Sequence, residues 1–536
     1  MRARRAMALF VLLTALFVID LLRLYGVTTN AEYAQGAQEQ IDITLSLPQE
    51  RGQITDRNGL PLTASRPVWY ALCAPGESSY GSLFSYVAYD RQAELYQKRN
   101  ASSPFLLPLA SNAYPQQIYC CQTERRSTEI PAAEHLIGYL NGEGKGVSGL
   151  EAAYDDVLAS AGDQKQILCS VTARGSLVEG LQPLESVSAG TGQSVVTTLE
   201  EGVQRACEGI AISRMQKGCI LVLECSTGQV LASVSMPQYD PQNIAASIAA
   251  QDTSLIDRAT AQFSVGSVFK PVLAAAALEQ GLDWFFTECT GAVEVDGQVY
   301  RCAKSIAHGQ VNLRLGLEKS CNCLFIRLGR VLGAQEILQM AQVLGFGHKT
   351  PIAPGWQSAK GNLPDEKALQ NSGQLASLSF GQGQLLATPL QVAGMMNAIA
   401  NDGVYRQPSF IKGIADRNGT LTEPDSVPLQ RRAMSRKTAR ILQKMLADVV
   451  AEGIGKEAAP LQETAAGKTG TAQTGRYIGE GGEKTEKMDY WFAGFYPAEK
   501  PRYTVVVLQD DQTEPAYSCA EVFAEVCNVL YFLKSD

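Results

Sequence analysis

Ser267-Val268-Phe269-Lys270 sets a hydroxyl and an amine three residues apart, followed by Pro271 and an apolar run over 272–278. If Ser267 starts a helix, Lys270 lies one turn on and on the same face. A serine hydroxyl is a poor nucleophile until a neighbouring base takes its proton. A lysine can be that base near neutral pH when desolvation or a second cation lowers its pKa. Pro271 suits a first turn, whose N–H groups have no partner inside the helix. Alone, a serine and a lysine at this spacing mean little, because a chain of 536 residues holds such matches by chance. Two later stretches change the reading. Ser320-Cys321-Asn322 precedes an apolar run at 324–328, and Lys468-Thr469-Gly470-Thr471 follows Ala465-Ala466-Gly467, small residues that read as an edge strand. Serine-x-asparagine is common in capped loops, and lysine-threonine-glycine also occurs in surface turns, but the ordered set of three is specific.

Each group then has a physical task. Ser267 is the nucleophile and Lys270 its base, while Ser320 can relay a proton between Lys270 and a leaving amine. Asn322 can hold a substrate amide. Lys468 and Thr469 offer a cation and a hydroxyl to a terminal carboxylate, with Gly470 and Thr471 continuing that binding strand, and Lys468 also helps to keep Lys270 neutral. The backbone N–H groups of Ser267 and Thr471 could form an oxyanion hole. A Ser-His-Asp hydrolase fits less well, since the chain has no G-x-S-x-G and His308, in Ala307-His308-Gly309-Gln310, reads as structural.

These residues must be positioned by the elements around them. From about residue 192 the texture becomes regular. A strand is expected at 195–199, a helix at 200–215, and a hairpin of 219–223 with 229–235 turning at Ser226-Thr227-Gly228. Far along the chain, 491–496 and 503–509 form a second strand pair, and a helix over about 514–533 follows. Strands at both ends of a long region with helices between predict one α+β domain, an antiparallel sheet flanked by helices. Thr388-Pro389 opens a helix as N-cap and first residue, Asn401-Asp402-Gly403 ends it, and Ser435 starts another that runs to about 452. Residues 474–489 are polar and glycine-rich and are expected to form a flexible loop. Between 51 and 183, short β-rich runs, many turn residues and a helical stretch near 149–160 give no assignable fold.

A length of 536 residues implies two or three domains, and 45% apolar with 19% charged residues is ordinary for a chain that buries real cores. The net charge of −8 lacks the basic footprint of a nucleic-acid binder. There are 13 cysteines but no pair of C-x-x-C motifs, and the histidines are His135, His308 and His348 alone, so no structural metal site is expected. Cys289 and Cys302 flank a short polar stretch and could close a small loop; free buried thiols fit as well. At the amino terminus Arg2, Arg4 and Arg5 precede an apolar run over 6–19, which Leu21, Leu22, Leu24 and Tyr25 extend around Asp20 and Arg23. The segment 6–25 is just long enough to span a bilayer, with residues 1–5 inside and all that follows outside. A cleaved signal peptide is the competing reading; no small-x-small cleavage site stands near Val27, which favours a retained single-pass anchor. Residues 27–50 are polar and read as a stalk.

With these motifs in place, the sequence resembles the class B penicillin-binding proteins. Arg51-Gly52-Gln53-Ile54-Thr55-Asp56-Arg57-Asn58-Gly59 resembles the family's first pedestal motif, and Gly149-Leu150-Glu151 with Tyr154 and Leu158 another. The 218–237 stretch, Asp257-Arg258-Ala259, Gly381-Gln382-Gly383, Thr471-Ala472-Gln473 and Trp491-Phe492-Ala493-Gly494-Phe495 match further family patterns. The resemblance runs in patches from Arg51 onward, sparing 63–131. It implies a cytoplasmic tail (1–5), an anchor (6–25), a stalk and elongated β-rich pedestal (26–190) and a transpeptidase domain (191–536). It implies peptidoglycan stem peptides ending in D-Ala-D-Ala as substrate, β-lactams as acylating inhibitors, and no metal or organic cofactor. By analogy the partner is a membrane glycan polymerase of the shape, elongation, division and sporulation group. There is no room for the glycosyltransferase domain of class A relatives. The chain departs from the family in Val265-Gly266, where Pro-Gly is usual, and in Asp257-Arg258-Ala259, where Asn-Arg-Ala is usual. A serine β-lactamase or D,D-carboxypeptidase shares the serine–lysine machinery, and a non-catalytic division or sporulation scaffold is the reading from another class.

Overall fold

The computed structural model describes residues 2–32, 41–74, 83–110, 118–127, 132–172, 174–178, 180–241, 243–250, 253–424, 427–479 and 484–533. The chain divides into two compact units: Met1–Arg51, Ser65–Ser127 and Ala159–Gly192 form the first, and Gly52–Ala64, Thr128–Leu158 and Gln193–Asp536 the second. Two stretches of the expected pedestal, 52–64 and 128–158, therefore fold with the second unit.

In the first unit, Arg2–Thr29 is a helix of 28 residues. Within it, Ala3–Thr29 is long and apolar enough to cross a membrane, an 18-residue window of it having mean hydropathy 2.3. Part of the expected stalk is a strand: Asp42–Ser46 pairs with Gln164–Ser170, which pairs with Leu184–Ser188, all antiparallel. A second sheet places Ser65–Cys73 between Phe105–Pro108 and Cys120–Arg126. Leu47, Tyr70, Leu72, Cys121, Ile167 and Cys169 are buried together, drawn from both sheets.

The second unit is built on a five-stranded antiparallel sheet. In spatial order its strands are Val230–Met236, Gly218–Glu224, Tyr503–Gln512, Thr485–Tyr496 and Ala466–Ile478. Thus the expected hairpin and the expected late strand pair do meet, through Val222 opposite Val505 and Ile220 opposite Val507. Successive side chains of a strand point to opposite faces. Ile220, Val222, Leu231, Val505 and Val507 face one core, with Val203, Cys207 and Ala211 of the Glu201–Arg214 helix and Phe523 and Val526 of the Cys519–Leu533 helix. Cys219, Leu221, Leu223, Val506 and Leu508 face the larger core, with Val272 and Leu273 of Lys270–Glu279, Phe325 of Asn322–Val343 and Met395 and Met396 of Pro389–Ala400. Covered on both faces, the inner strands read as apolar runs rather than as alternations.

The helix signals were physical. Thr388 closes a capping box with Gln391, and the Ser435 hydroxyl accepts from the Thr438 N–H. The expected loop at 474–489 is different. The edge strand continues to Ile478 and its partner begins at Thr485, so the two strands pair well beyond the expected boundary. A bulge between Gln473 and Arg476 absorbs the turn-forming Thr474-Gly475, whose composition suggested a loop. A further small sheet carries the parallel pairing of Ile54–Thr55 with Ser194–Thr197.

Candidate active site

Ser267 lies in a tight turn, Gly266–Phe269, that runs directly into the Lys270–Glu279 helix. Gly266 makes the turn possible. Its φ is +64°, and a Cβ there would stand 2.5 Å from the Thr471 carbonyl oxygen. Its N–H donates to the Gly381 carbonyl at 2.8 Å. The turn that carries Ser267 is thus pressed against the Ala466–Ile478 edge strand. From the strand's side Gly470 permits the approach, since a Cβ there would meet Val268 Cγ1 at 2.9 Å and the Val265 carbonyl oxygen at 3.1 Å. Ser267 is half-buried and accessible, whereas Lys270 is wholly buried.

Lys270 is the hub. Its Nζ donates to Ser320 Oγ at 2.9 Å, to the Ser320 carbonyl at 2.8 Å and to Asn322 Oδ1 at 2.7 Å. Burial pushes its pKa down to about 7, because low dielectric disfavours the charged form. Near neutral pH a large share of the amine is therefore unprotonated while still held by two motif residues. Ser320 adopts φ +53°, a left-handed kink between the Leu313–Glu318 and Asn322–Val343 helices. Cys321 caps the second helix, its Sγ accepting from the Leu324 N–H. Asn322 is gripped at both ends, its Nδ2 donating to the Arg301 carbonyl at 2.8 Å.

Lys468 is also fully buried, with Nζ 3.2 Å from both the carbonyl oxygen and Oγ1 of Thr469. Burial first, then the nearby Lys270 cation, hold its pKa well below the usual lysine range. Two amines thus compete for protons in one enclosed place. An anionic group arriving beside them would reverse the balance at Lys468 by supplying the missing counter-charge. Thr469 is half-buried and Thr471 exposed, so the strand offers both to solvent. The structure accordingly brings Ser267, Lys270, Ser320, Asn322, Lys468, Thr469, Gly470 and Thr471 to one site.

Several residues that hold this site were matched to family patterns without being given a task. Gln382 Nε2 donates to the Thr471 carbonyl at 3.3 Å. Trp491 Nε1 donates to the Ser264 carbonyl at 2.8 Å, and Asp489, which the sequence reading places at the end of a loop, accepts from the Ser264 N–H at 3.1 Å through Oδ2. These contacts fix the segment leading into Ser267. Within Asp257-Arg258-Ala259, Asp257 accepts from the Ala259 N–H at 3.1 Å and the Thr260 hydroxyl at 2.9 Å. Arg258, 1% exposed, pairs with Asp510 of the last sheet strand at 2.7 Å. No cysteine is bonded to another: Cys289 and Cys302 are free, their sulfurs 3.7 Å apart, and His308 stands beside them.

A mixed fold with a serine–lysine–serine–asparagine cluster against a lysine-threonine-glycine edge strand defines the class of penicillin-recognising serine enzymes. The family model "Penicillin binding protein transpeptidase domain" matches residues 218–528, and the chain belongs to that family. Stage V sporulation protein D of Bacillus subtilis is 27% identical over 510 residues, covering 89% of this chain and 76% of the relative. The peptidoglycan D,D-transpeptidase PbpA of Mycolicibacterium smegmatis is 30% identical over 350 residues, 60% of this chain and 68% of the relative. Among solved structures, penicillin-binding protein 3 of Mycobacterium tuberculosis complexed with aztreonam is 26% identical, with a TM-score of 0.65 over 92% of this chain and 97% of that one.

Proposed function

We propose that this protein is a peptidoglycan D,D-transpeptidase that works through a Ser267 acyl-enzyme and is inhibited covalently by β-lactams. The observation that carries the reading is the buried Lys270 amine, poised near neutrality between Ser320 and Asn322 and one turn from Ser267. Lys270 takes the Ser267 hydroxyl proton as Oγ attacks the carbonyl of the penultimate D-Ala. Backbone N–H groups of Ser267 and Thr471 hold the oxyanion. As the C–N bond breaks, the proton passes through Ser320 to the departing terminal D-Ala. Lys468 and Thr469 bind the terminal carboxylate and Asn322 the substrate amide. A neighbouring stem-peptide amine then attacks the ester, giving its proton back along the same path and restoring Ser267.

The apolar helix supports membrane anchoring through 6–25, with 1–5 inside and the pedestal (26–190) and transpeptidase domain (191–536) outside. A membrane glycan polymerase of the elongation, division or sporulation group is the partner this arrangement suits. Fluorescent penicillin tests the reading. Wild type should take a long-lived covalent label and Ser267→Ala none. Rapid turnover of the label would instead identify a β-lactamase, and full rescue of a deletion strain by Ser267→Ala would identify a scaffold.

A further inference from the structure

The sequence reading expects no metal site, yet four ligand-type side chains converge directly behind the Ser320-Cys321-Asn322 turn. We infer that Cys289, Cys302, His308 and Cys321 form a zinc-binding site that ties this turn to the neighbouring hairpin region. Their ligand atoms all lie within 4.8 Å of one another. Cys289 and Cys302 sulfurs are 3.7 Å apart, Cys302 and Cys321 sulfurs 3.9 Å, and Cys289 Sγ is 3.3 Å from His308 Nδ1. A tetrahedral Zn²⁺ with Zn–S bonds of about 2.3 Å requires S···S edges of about 3.8 Å and slightly shorter S···N edges. These three spacings match edges of such a tetrahedron and are far from the roughly 2.05 Å of a disulfide. The remaining edges, all within 4.8 Å, need to close only slightly around an ion.

The donor set decides the ion. Three thiolates and an imidazole are soft or borderline ligands, which suit Zn²⁺ far better than Mg²⁺ or Ca²⁺, ions that prefer oxygen ligands. Four protein ligands complete the shell, so the site is structural and carries no open position for chemistry. Binding sends the three thiol protons to solvent. All three cysteines are at most 3% exposed, while His308 is half-buried at the entry.

The spacing C-x₁₂-C-x₅-H-x₁₂-C resembles no short zinc motif, and the fold supplies the convergence. Cys289 ends the Phe286–Cys289 strand, which pairs with Gly309–Asn312, and the His308 N–H donates to the Cys289 carbonyl. Cys302 follows the Gln298–Arg301 strand, and Cys321 caps the long helix. Asn322 is held by the Arg301 carbonyl, so each of the two ligand cysteines, Cys302 and Cys321, adjoins a residue of that hydrogen bond. The metal would thereby fix the geometry of Asn322 and Ser320 around Lys270. This positioning role rests on the transpeptidase reading; the site itself does not.

The experiment uses the full chain in detergent, purified under reducing conditions and supplied with Zn²⁺. Elemental analysis after gel filtration should find about one zinc per chain in wild type and in Cys323→Ser, whose sulfur touches Cys302 but lies outside the quartet. Cys302→Ser and His308→Ala should lose it. In case those variants do not fold, Co²⁺-loaded wild type reads the site directly, through thiolate-to-cobalt charge-transfer bands and tetrahedral d–d bands. Chelator-stripped wild type should label with fluorescent penicillin several-fold more slowly and recover on zinc addition. Absence of zinc in wild type, zinc retained by folded Cys302→Ser, or a Cys289–Cys302 disulfide in zinc-supplied protein would each overturn the site. Zinc bound with no change in labelling would overturn only the positioning role.

Discussion

Lys270 joins in one atom the requirements of the base proposed for Ser267. It is buried, so its proton is weakly held, and it is hydrogen-bonded to Ser320 and Asn322, so it stays in place when neutral. In the proposed mechanism only the neutral amine can accept the Ser267 proton. Acylation by penicillin should therefore be slow at pH 6, rise through about pH 7 and level off above it, following the lowered pKa. A stopped-flow pH–rate profile checks this; a flat profile from pH 5.5 to 8.5 would remove Lys270 from the role. Lys270→Arg keeps a cation but cannot give a neutral base near neutrality, and should lower the acylation rate by about 10²–10⁴-fold. The three motifs were legible because each is a local pattern whose spacing is set by one turn or one strand. The lowered pKa of Lys468 was not legible. The sequence suggested that Lys468 keeps Lys270 neutral, whereas burial lowers Lys270, and burial followed by the Lys270 charge lowers Lys468. That burial depends on tertiary packing a linear pattern does not carry.

At the scale of elements, the site is an appointment between a turn and a strand edge, kept by small residues. Gly266→Ala places a Cβ against the Thr471 carbonyl in a left-handed backbone. It should cost about 1–3 kcal/mol of stability and, by pushing turn and strand apart, reduce penicillin labelling more than it reduces melting temperature. Equal losses in both would show a purely structural effect. Arg258→Met leaves buried Asp510 with only the longer Lys217 contact at 3.5 Å, so the loss should fall short of the about 3–5 kcal/mol that a fully stranded charge costs. Chemical denaturation should show that loss, with Arg258→Met/Asp510→Leu recovering part of it. Capped helices were readable in advance because Thr388 and Ser435 announce themselves through their own side chains. The 474–489 stretch was misread because Thr474-Gly475 is turn chemistry, and only a partner strand converts such a pair into a bulge. The Asp257-Arg258-Ala259 contacts were likewise invisible, since Asp510 lies some 250 residues away in sequence.

At the scale of the whole molecule, the amino-terminal helix and the compact units divide the labour. The helix Arg2–Thr29 has its apolar side chains exposed, which water does not tolerate over such a length. Residues 30–536 expressed alone should remain soluble without detergent and label with fluorescent penicillin at the wild-type rate. Aggregation of that fragment, or loss of labelling, would show that the helix takes part in folding or activity. Fold class was readable from strands recurring at both ends of one region, whereas the order of those strands was not, because pairing partners depend on cores that form only in three dimensions.

The sheet order carries a consequence for how the chain is made. Gly218–Glu224 is an inner strand whose second neighbour, Tyr503–Gln512, is synthesised about 290 residues later. At roughly 5–20 residues per second, the early hairpin waits on the order of 15–60 s with an apolar edge open. An unsealed edge of this kind recruits other strands. During biogenesis the nascent protein should therefore depend on a holdase that covers this edge, and crowding of ribosomes on its message is the condition under which it should aggregate.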